Sequence, residues 1–470
     1  MHGLLATCRY EPRLRLDRSA VYAQHRWMGE GLKSLAKGTR AMAAWDEDSV
    51  TMAVEAARTL LAAAPASPAA LALASTTLPF AERLNAGIVA AALGLDPSVV
   101  ARDVGSSARA ACTELACALQ ASRSTQLLLA ADRRVPRPAS ALEMISGDGA
   151  AAALVGEGAV VATLVASRSV NADLVDRFRE SGEAYDYAWE ERWVREEGYL
   201  KIAVDAIGRC LDEAGVSAAD VAHFALPAPL PRANEAVARR VGIRPEALVP
   251  TAAESIGDLG TAQPIAMLDV ALRAAQPGAP VVVAAFGSGC DVLLLRRTDH
   301  PYPALAASSG RSETSYLKYL SFTRQIALDW GMRAETDNKT AQTAAWRDHA
   351  GLSRFEGGRC TRCGTVQFPS LRVCVNPECR AVDSQQPHRF ADRQARVLSH
   401  TSDWLAYSPA PPLQFGQVDF EGGGRVLIEF TDTDPDELKV GLPVRMVYRI
   451  KDFDAKRGFR RYFWKATPVR

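Results

Sequence analysis

The sequence predicts an α/β protein that ends in a metal-binding ribbon and a small β-barrel. Three observations lead there. Up to about residue 298, helix-like and strand-like segments alternate. Four cysteines crowd into residues 360 to 379. From about residue 389, short alternating segments follow one another between turn residues. Short apolar strands separated by helices imply buried sheets with helices on their faces. A chain of 470 residues has room for two or three such domains.

The first region justifies the α/β assignment element by element. "EDSVTMAVEAARTLLAAA" spaces its apolar residues as an amphipathic helix does, with acidic residues at its start. "AALALAS" reads as a buried strand, "LNAGIVAAALGL" as a helix and "TQLLLAADR" as a further buried strand. "GAAAALVGEGAVVATLVAS" reads as adjacent strands with a turn at Gly156. The rhythm resumes with "EEGYLKIAVDAIGRCLDEAGV" (helix), "VAHFALP" (strand), "ANEAVARRVG" and "AQPIAMLDVALRAA" (helices) and "APVVVAAFGSG" (strand). The two halves have similar lengths, which points to an internal duplication. Expected bounds are residues 1–299 for this unit, with halves of about 1–167 and 168–299. A Pro/Ser/Gly-rich linker at 300–315 and a polar helical stretch, "YLKYLSFTRQIALDW", belong to a connecting region over 300–358.

Composition sets limits on function. With 48% hydrophobic and 23% charged residues and a formal net charge of +1, the chain has no overall pull toward nucleic acid or anionic membrane. No apolar run reaches a membrane-spanning length, and the N-terminus lacks the order of a signal peptide. A cytoplasmic protein is expected, with no membrane partner. The nine cysteines are odd in number and unevenly spread, which argues against a disulfide framework.

The ribbon carries the strongest single signal. "CTRCGTVQFPSLRVCVNPEC" reads C-x2-C, ten residues, C-x4-C, so Cys360, Cys363, Cys374 and Cys379 supply two thiolate pairs on tight knuckles. Four sulfurs close a tetrahedral site around Zn2+ and leave no open position, so the expected zinc is structural. The ribbon is expected over 359–388 and the barrel over 389–470. In the barrel, Lys451, Lys456, Arg457, Arg460 and Arg461 stand beside Phe459, Tyr462, Phe463 and Trp464. Cations interleaved with aromatics suit stacked bases on a phosphate track. The same set suits the adenine and phosphates of one coenzyme A, or simply a solvated strand edge. "GGRCTRCGTVQFP", "CVNPEC" and the closing "RRYFWKATP" resemble the rubredoxin-like zinc-ribbon and OB-fold proteins that accompany acyl-CoA enzymes of the thiolase superfamily. That resemblance implies CoA contacts at Arg460, Arg461 and Trp464 and argues against nucleic acid as a partner.

In "GSSARAACTELACALQAS", Cys112 read alone is either a small buried hydrophobe or a nucleophile at a helix start, where the dipole favours thiolate. Cys117, five residues on, keeps the filler reading. The stretches "WDEDSVTMAVEAA", "AACTELACALQ", "SALEMISGDGAAAALVG" and "AAFGSG" resemble the thiolase superfamily, nearest its hydroxymethylglutaryl-CoA synthase and ketoacyl synthase III branch. The resemblance implies a duplicated five-layer α/β fold, a homodimer, an acyl group carried on Cys112, and an oxyanion hole from the amides of Cys112 and Gly287. The branch's histidine is matched by Ala225, with His223 two residues earlier as a replacement. Its asparagine is matched by Asp258, which also reads as a helix N-cap, and its glutamate by Thr76, with Glu82 nearby. The implied function is CoA-dependent acyl transfer that cleaves or forms a C–C bond in a β-keto acid or β-keto acyl-CoA. A non-catalytic acyl-CoA-binding scaffold and an OB-fold single-stranded nucleic-acid binder are the alternatives.

Overall fold

Alternating apolar and small residues build one nine-stranded sheet in the first two thirds of the chain. Its strands are β1 (His2–Tyr10), β2 (Ala70–Ala74), β3 (Val100–Val104), β4 (Gln126–Asp132), β5 (Gly149–Glu157), β6 (Ala162–Asn171), β7 (His223–Ala225), β8 (Pro280–Phe286) and β9 (Gly289–Arg297). They lie in the order β7-β8-β9-β6-β1-β5-β4-β2-β3. The computed structural model describes residues 1–121, 124–188, 190–304, 310–331, 341–434 and 436–470. The chain forms two compact units. One comprises Met1–Ala44, Asp48–Ala90 and Leu95–Tyr319, and the other Trp45–Glu47, Ala91–Gly94 and Leu320–Arg470.

The sheet repeats one connectivity. β1 pairs antiparallel with β5 and β5 with β4, while β4 runs parallel to β2 and β2 to β3. In the second half β6 pairs antiparallel with β9 and β9 with β8, and β8 runs parallel to β7. A parallel bridge from Phe224 to Leu248 stands where the fifth strand of the repeat would be. Such parallel neighbours need crossover helices. These are α1 (Ser49–Ala63), α2 (Asn85–Leu93) and α3 (Ala110–Ala121) in the first half, and α4 (Val204–Glu213), α5 (Ala233–Val241) and α6 (Gln263–Ala274) in the second. α3 and α6 share one buried core with the sheet, and small alanines on both let it close tightly. α4 and α5 cover the second half with a separate core that includes Phe224, Val282 and Phe286. The turn expected at Gly156 falls after Glu157, at Gly158 with φ +136°.

α1 starts where the sequence says it should. Asp48 accepts from the amides of Val50 and Thr51, and the Thr51 hydroxyl accepts from the Asp48 amide, a reciprocal capping box. Asp48→Ala should cost about 1 kcal/mol, measured as a lower urea midpoint for the first unit.

Two expectations about the connecting region need correction. Arg311–Glu313 is a strand paired in parallel with Leu14–Asp17, and the Tyr316 hydroxyl donates to buried Glu143 at 2.7 Å, so the first unit continues past the expected linker. The polar helical stretch is helical only over Tyr316–Phe322.

The second unit holds a ribbon of three short strands, Glu356–Cys360, Val366–Gln367 and Gln385–Arg389, with the first in the middle. Five strands then follow: β10 (Ala395–Asp403), β11 (Leu413–Phe420), β12 (Arg425–Glu429), β13 (Pro443–Asp454) and β14 (Phe459–Pro468), in the order β12-β11-β10-β13-β14. A bridge from Phe430 to Ala466 joins the two edges and closes the sheet into a barrel. Among the described residues no helix is long and apolar enough to cross a membrane.

Candidate active site

Four chain-distant segments meet at the carboxyl ends of parallel strands, where open α/β sheets bind ligands. Thr76 follows β2, Ser106–Ala108 follow β3, Arg134 follows β4, and the Gly287–Ser288 turn follows β8. All of them line one open cleft. The remaining wall is a short hairpin, Arg177–Phe178 paired with Tyr187–Ala188, which brings Asp176, Arg179 and Asp186 to the rim.

The Gly287 turn is built for close approach. A Cβ there would meet the Ser107 hydroxyl at 2.8 Å and the Ala108 amide at 3.4 Å. The Gly287 carbonyl accepts from the Ser107 hydroxyl at 3.0 Å and from Arg109 Nε at 2.9 Å. Arg109 also pairs with fully buried Asp291 at 2.7 Å. Ser106 and Ser288, both on the cleft wall, hold φ of +72° and +48°. Backbone strain of this kind clusters at functional sites.

Cys112 does not line this cleft. It sits in the first turn of α3, one turn beyond Ala108, with no solvent exposure, and its Sγ faces the Asp291 carbonyl at 3.9 Å. Burial, then Asp291 and Cys290, push its thiol well above the ordinary value, against the weaker pull of Arg109. Burial here outweighs the pull toward thiolate that a helix start supplies. Both expected oxyanion donors are also engaged: the Cys112 amide donates to the Arg109 carbonyl at 2.8 Å and the Gly287 amide to the Gly289 carbonyl at 2.9 Å.

His223 is not brought to the cleft. It opens β7 opposite Val281, six residues before Gly287 on the parallel neighbour, or about 20 Å away along the strand. Burial alone lowers its imidazole pKa. Ala225 is fully buried in the core. Asp258 accepts from the Gly260 amide at 3.1 Å, which caps the turn ahead of α6, and its charge acts on the Arg134 guanidinium. Glu82 is exposed on a bend.

The groups that hold the cleft together were not singled out in the sequence. Asp132, at the end of β4, is fully buried. It accepts from the Ser75 hydroxyl at 3.0 Å, the Thr76 amide at 2.8 Å, and the Thr261 amide and hydroxyl at 2.8 and 2.6 Å. Arg134 reaches Asp186 at 3.0 Å and the Thr76 hydroxyl at 3.1 Å. The run "AADRR" after an apolar strand was the available signal: charges at a buried strand end must be paired.

In the second unit the four ribbon sulfurs lie within 4.8 Å of one another, with Cys360–Cys379 at 3.8 Å and Cys363–Cys374 at 3.5 Å. A tetrahedral zinc with Zn–S near 2.3 Å sets its sulfurs about 3.8 Å apart, so the donor set fits that metal. The barrel contacts expected for CoA look different. Trp464 is fully buried, with its indole donating to the Ser353 carbonyl at 2.9 Å, so it offers no stacking face. Arg461 is paired with Asp452, Arg457 with Asp454 and Lys451 with Glu429, so these cations are already neutralised. Arg460 is half-buried.

Comparison with known proteins agrees with this architecture. Residues 211–294 match the family model of the 3-oxoacyl-[acyl-carrier-protein] synthase III C terminal, and residues 389–449 that of the ChsH2 C-terminal OB-fold domain. The hydroxymethylglutaryl-CoA synthase of Methanopyrus kandleri is 28% identical over 299 residues, 61% of this chain and 84% of the relative. A DUF35 domain-containing scaffold protein of Methanothermobacter thermautotrophicus is 29% identical over 132 residues, 27% of this chain and 97% of the relative. The crystal structure of 3-oxoacyl-(acyl carrier protein) synthase III from Pseudomonas aeruginosa superposes with a TM-score of 0.56 at 22% identity, covering 65% of this chain and 99% of the other. The chain thus joins a duplicated thiolase-like α/β unit to a C-terminal OB-fold.

Proposed function

We propose that this chain takes a CoA thioester into the cleft of its thiolase-like unit and makes or breaks a C–C bond beside the thioester carbonyl, as an acyltransferase. The observation that carries this reading is the convergence of Thr76, Ser106–Ala108, Arg134 and the Gly287 turn at the carboxyl ends of parallel strands. The likeness to hydroxymethylglutaryl-CoA and 3-oxoacyl synthases supports it. A structural Zn2+ on the four ribbon cysteines belongs to the same proposal. So does a homodimer through the first unit, supported by the open edge of β3.

In the covalent form of this chemistry, Cys112, enclosed one turn beyond Ala108, must open to the cleft and give up its proton. Its thiolate attacks the acyl carbonyl carbon, the C–S bond to CoA breaks, and the CoA thiolate takes up a proton and leaves as its thiol. Because burial raises the Cys112 thiol, the thiolate is scarce at neutral pH, and acylation should speed up as pH rises through the alkaline range. Intact-mass spectrometry after incubation with acetyl-CoA and acetoacetyl-CoA tests this. The expected result is an acyl adduct that peptide mapping places on Cys112, absent from Cys112→Ala. Full turnover by that variant would remove the cysteine from the reaction.

One specific set of observations favours the second reading, an acyl-CoA-binding scaffold. Cys112 is enclosed, the two oxyanion amides are engaged, and His223 lies at the far end of its strand. That reading expects calorimetric binding of acyl-CoA with no adduct and no turnover at any pH.

A further inference from the structure

The Arg134 guanidinium is nearly enclosed, with 3% of its side chain exposed, yet it lines the cleft. A cation in that position must face an anion. Three carboxylates act on it: Asp258 through its charge, and two close by, Asp132 and Asp186, which differ in kind. Asp132 lies beneath it at 3.6 Å and is already saturated by donors from Ser75, Thr76 and Thr261. Asp186 is closer, at 3.0 Å, and stands on the cleft wall in the hairpin whose strands are two residues each. On the other side of Asp186, Arg179 lies at 3.6 Å, with its own guanidinium donating to the Thr76 carbonyl. Arg134 Nε has no hydrogen-bond partner among the described residues.

We propose that Arg134 is the specificity-determining residue of the cleft, that it receives the carboxylate of a dicarboxylic acyl-CoA, and that Asp186 stands in for this carboxylate in the free protein. This rests on the CoA-thioester reading above. A guanidinium fork matches a carboxylate in two parallel hydrogen bonds, which a lysine or an amide does not offer. An arriving carboxylate can take the Nη1 position from Asp186, share Nη2 with the Thr76 hydroxyl, and keep the buried cation paired. The displaced Asp186 stays beside Arg179, so neither charge is stranded. The polar wall fits an acidic acyl group better than a long alkyl chain: hydroxyls of Thr76, Ser106, Ser107 and Ser288 and three arginines line the cleft against two carboxylates, Asp176 and Asp186, with Phe178 the one large apolar side chain among its lining residues.

Calorimetric titration of the full chain with glutaryl-CoA, pentanoyl-CoA and free glutarate tests the assignment. The two thioesters match in length and share the CoA phosphates, so only the terminal carboxylate differs. Wild type should bind glutaryl-CoA about tenfold tighter than pentanoyl-CoA. Arg134→Gln should abolish that preference while keeping pentanoyl-CoA binding, and Asp186→Asn should tighten glutaryl-CoA several-fold by removing the internal competitor. Equal affinity of wild type for the two thioesters overturns the inference with the CoA reading intact. So does an equal loss of both in Arg134→Gln, which would assign this arginine to the CoA phosphates. Weaker glutaryl-CoA binding in Asp186→Asn overturns the stand-in role. Arg134-dependent binding of free glutarate without binding of either thioester keeps the anion site and rejects CoA. No binding of any probe rejects both. Circular dichroism verifies the fold of each variant, and the wild-type comparison decides even if Arg134→Gln does not fold.

Discussion

Asp132→Ala should lower the stability of the thiolase-like unit by about 2–4 kcal/mol, because it removes one counter-charge of buried Arg134 and leaves buried donors without their acceptor. The same change strips the acceptor from Ser75, Thr76 and Thr261 together, and it opens space where Gly260 now approaches within van der Waals range. A Cβ at Gly260 would lie 2.4 Å from the Asp132 carboxylate, so this hub admits neither a larger neighbour nor a smaller centre. Urea midpoints of wild type and variant give the number directly. The double variant Asp132→Leu with Arg134→Met should recover part of the loss, since replacing a buried pair by apolar groups is far cheaper than halving it. A single variant as stable as wild type would mean that the hub does not hold the cleft.

The pH dependence of this effect has a definite sign. Burial opposes ionisation of Asp132, but Arg134 and the Thr261 and Thr76 donors outweigh it and hold its carboxyl below the usual range. A group with a lowered folded pKa binds fewer protons when folded than when unfolded around that pH. Its stabilising contribution is therefore complete above the unfolded value of about 3.9 and fades as pH falls through the folded value. The gap between wild type and Asp132→Asn should be constant from neutral pH down to about 5 and shrink below about 4.

How much of this site the sequence could disclose depended on what each feature required. Strand and helix positions follow from periodicity within a dozen residues, so β4, β8, α1 and α6 were legible. The four ribbon cysteines were legible because spacing alone brings them together. His223 was misplaced because register between β7 and β8 is set by tertiary pairing: the strand is correctly read, and its histidine sits at the wrong end. Cys112 turned on one helical turn of offset, since Ser107 and Ala108 rather than Cys112 meet the Gly287 turn. Trp464 sits in a strand where three aromatics run consecutively between basic residues, and the pattern does not say which face closes the barrel. Arg134 and Asp186 lie 52 residues apart, and nothing local marks them as partners. Motif matching finds positions, and packing decides which of them face the ligand.

Chelation of the proposed zinc should unfold the ribbon around its sulfurs. Around the sulfurs its apolar support is small, with Cys360, Cys374 and Ala381 buried and Cys379 packed beside them, while Phe368 packs on Phe355 and Phe390 at its far end. The four sulfurs are held within 4.8 Å by two knuckles, one of them turned by Gly364 at φ +77°. Structural zinc in such small modules contributes on the order of 10–16 kcal/mol of apparent binding free energy, which becomes folding free energy. The expected findings are one zinc per chain by native mass spectrometry and rapid proteolysis within residues 356–389 after chelation, reversed by added zinc. Cys363 makes the decisive substitution because its side chain is exposed. As a surface cysteine with no metal, Cys363→Ser should cost less than about 0.5 kcal/mol. As a zinc ligand it should abolish stoichiometric zinc and expose the ribbon to protease as completely as the buried Cys360→Ser does. Retention of zinc and of protease resistance by Cys363→Ser would remove it from the ligand set, and the tetrahedral site with it.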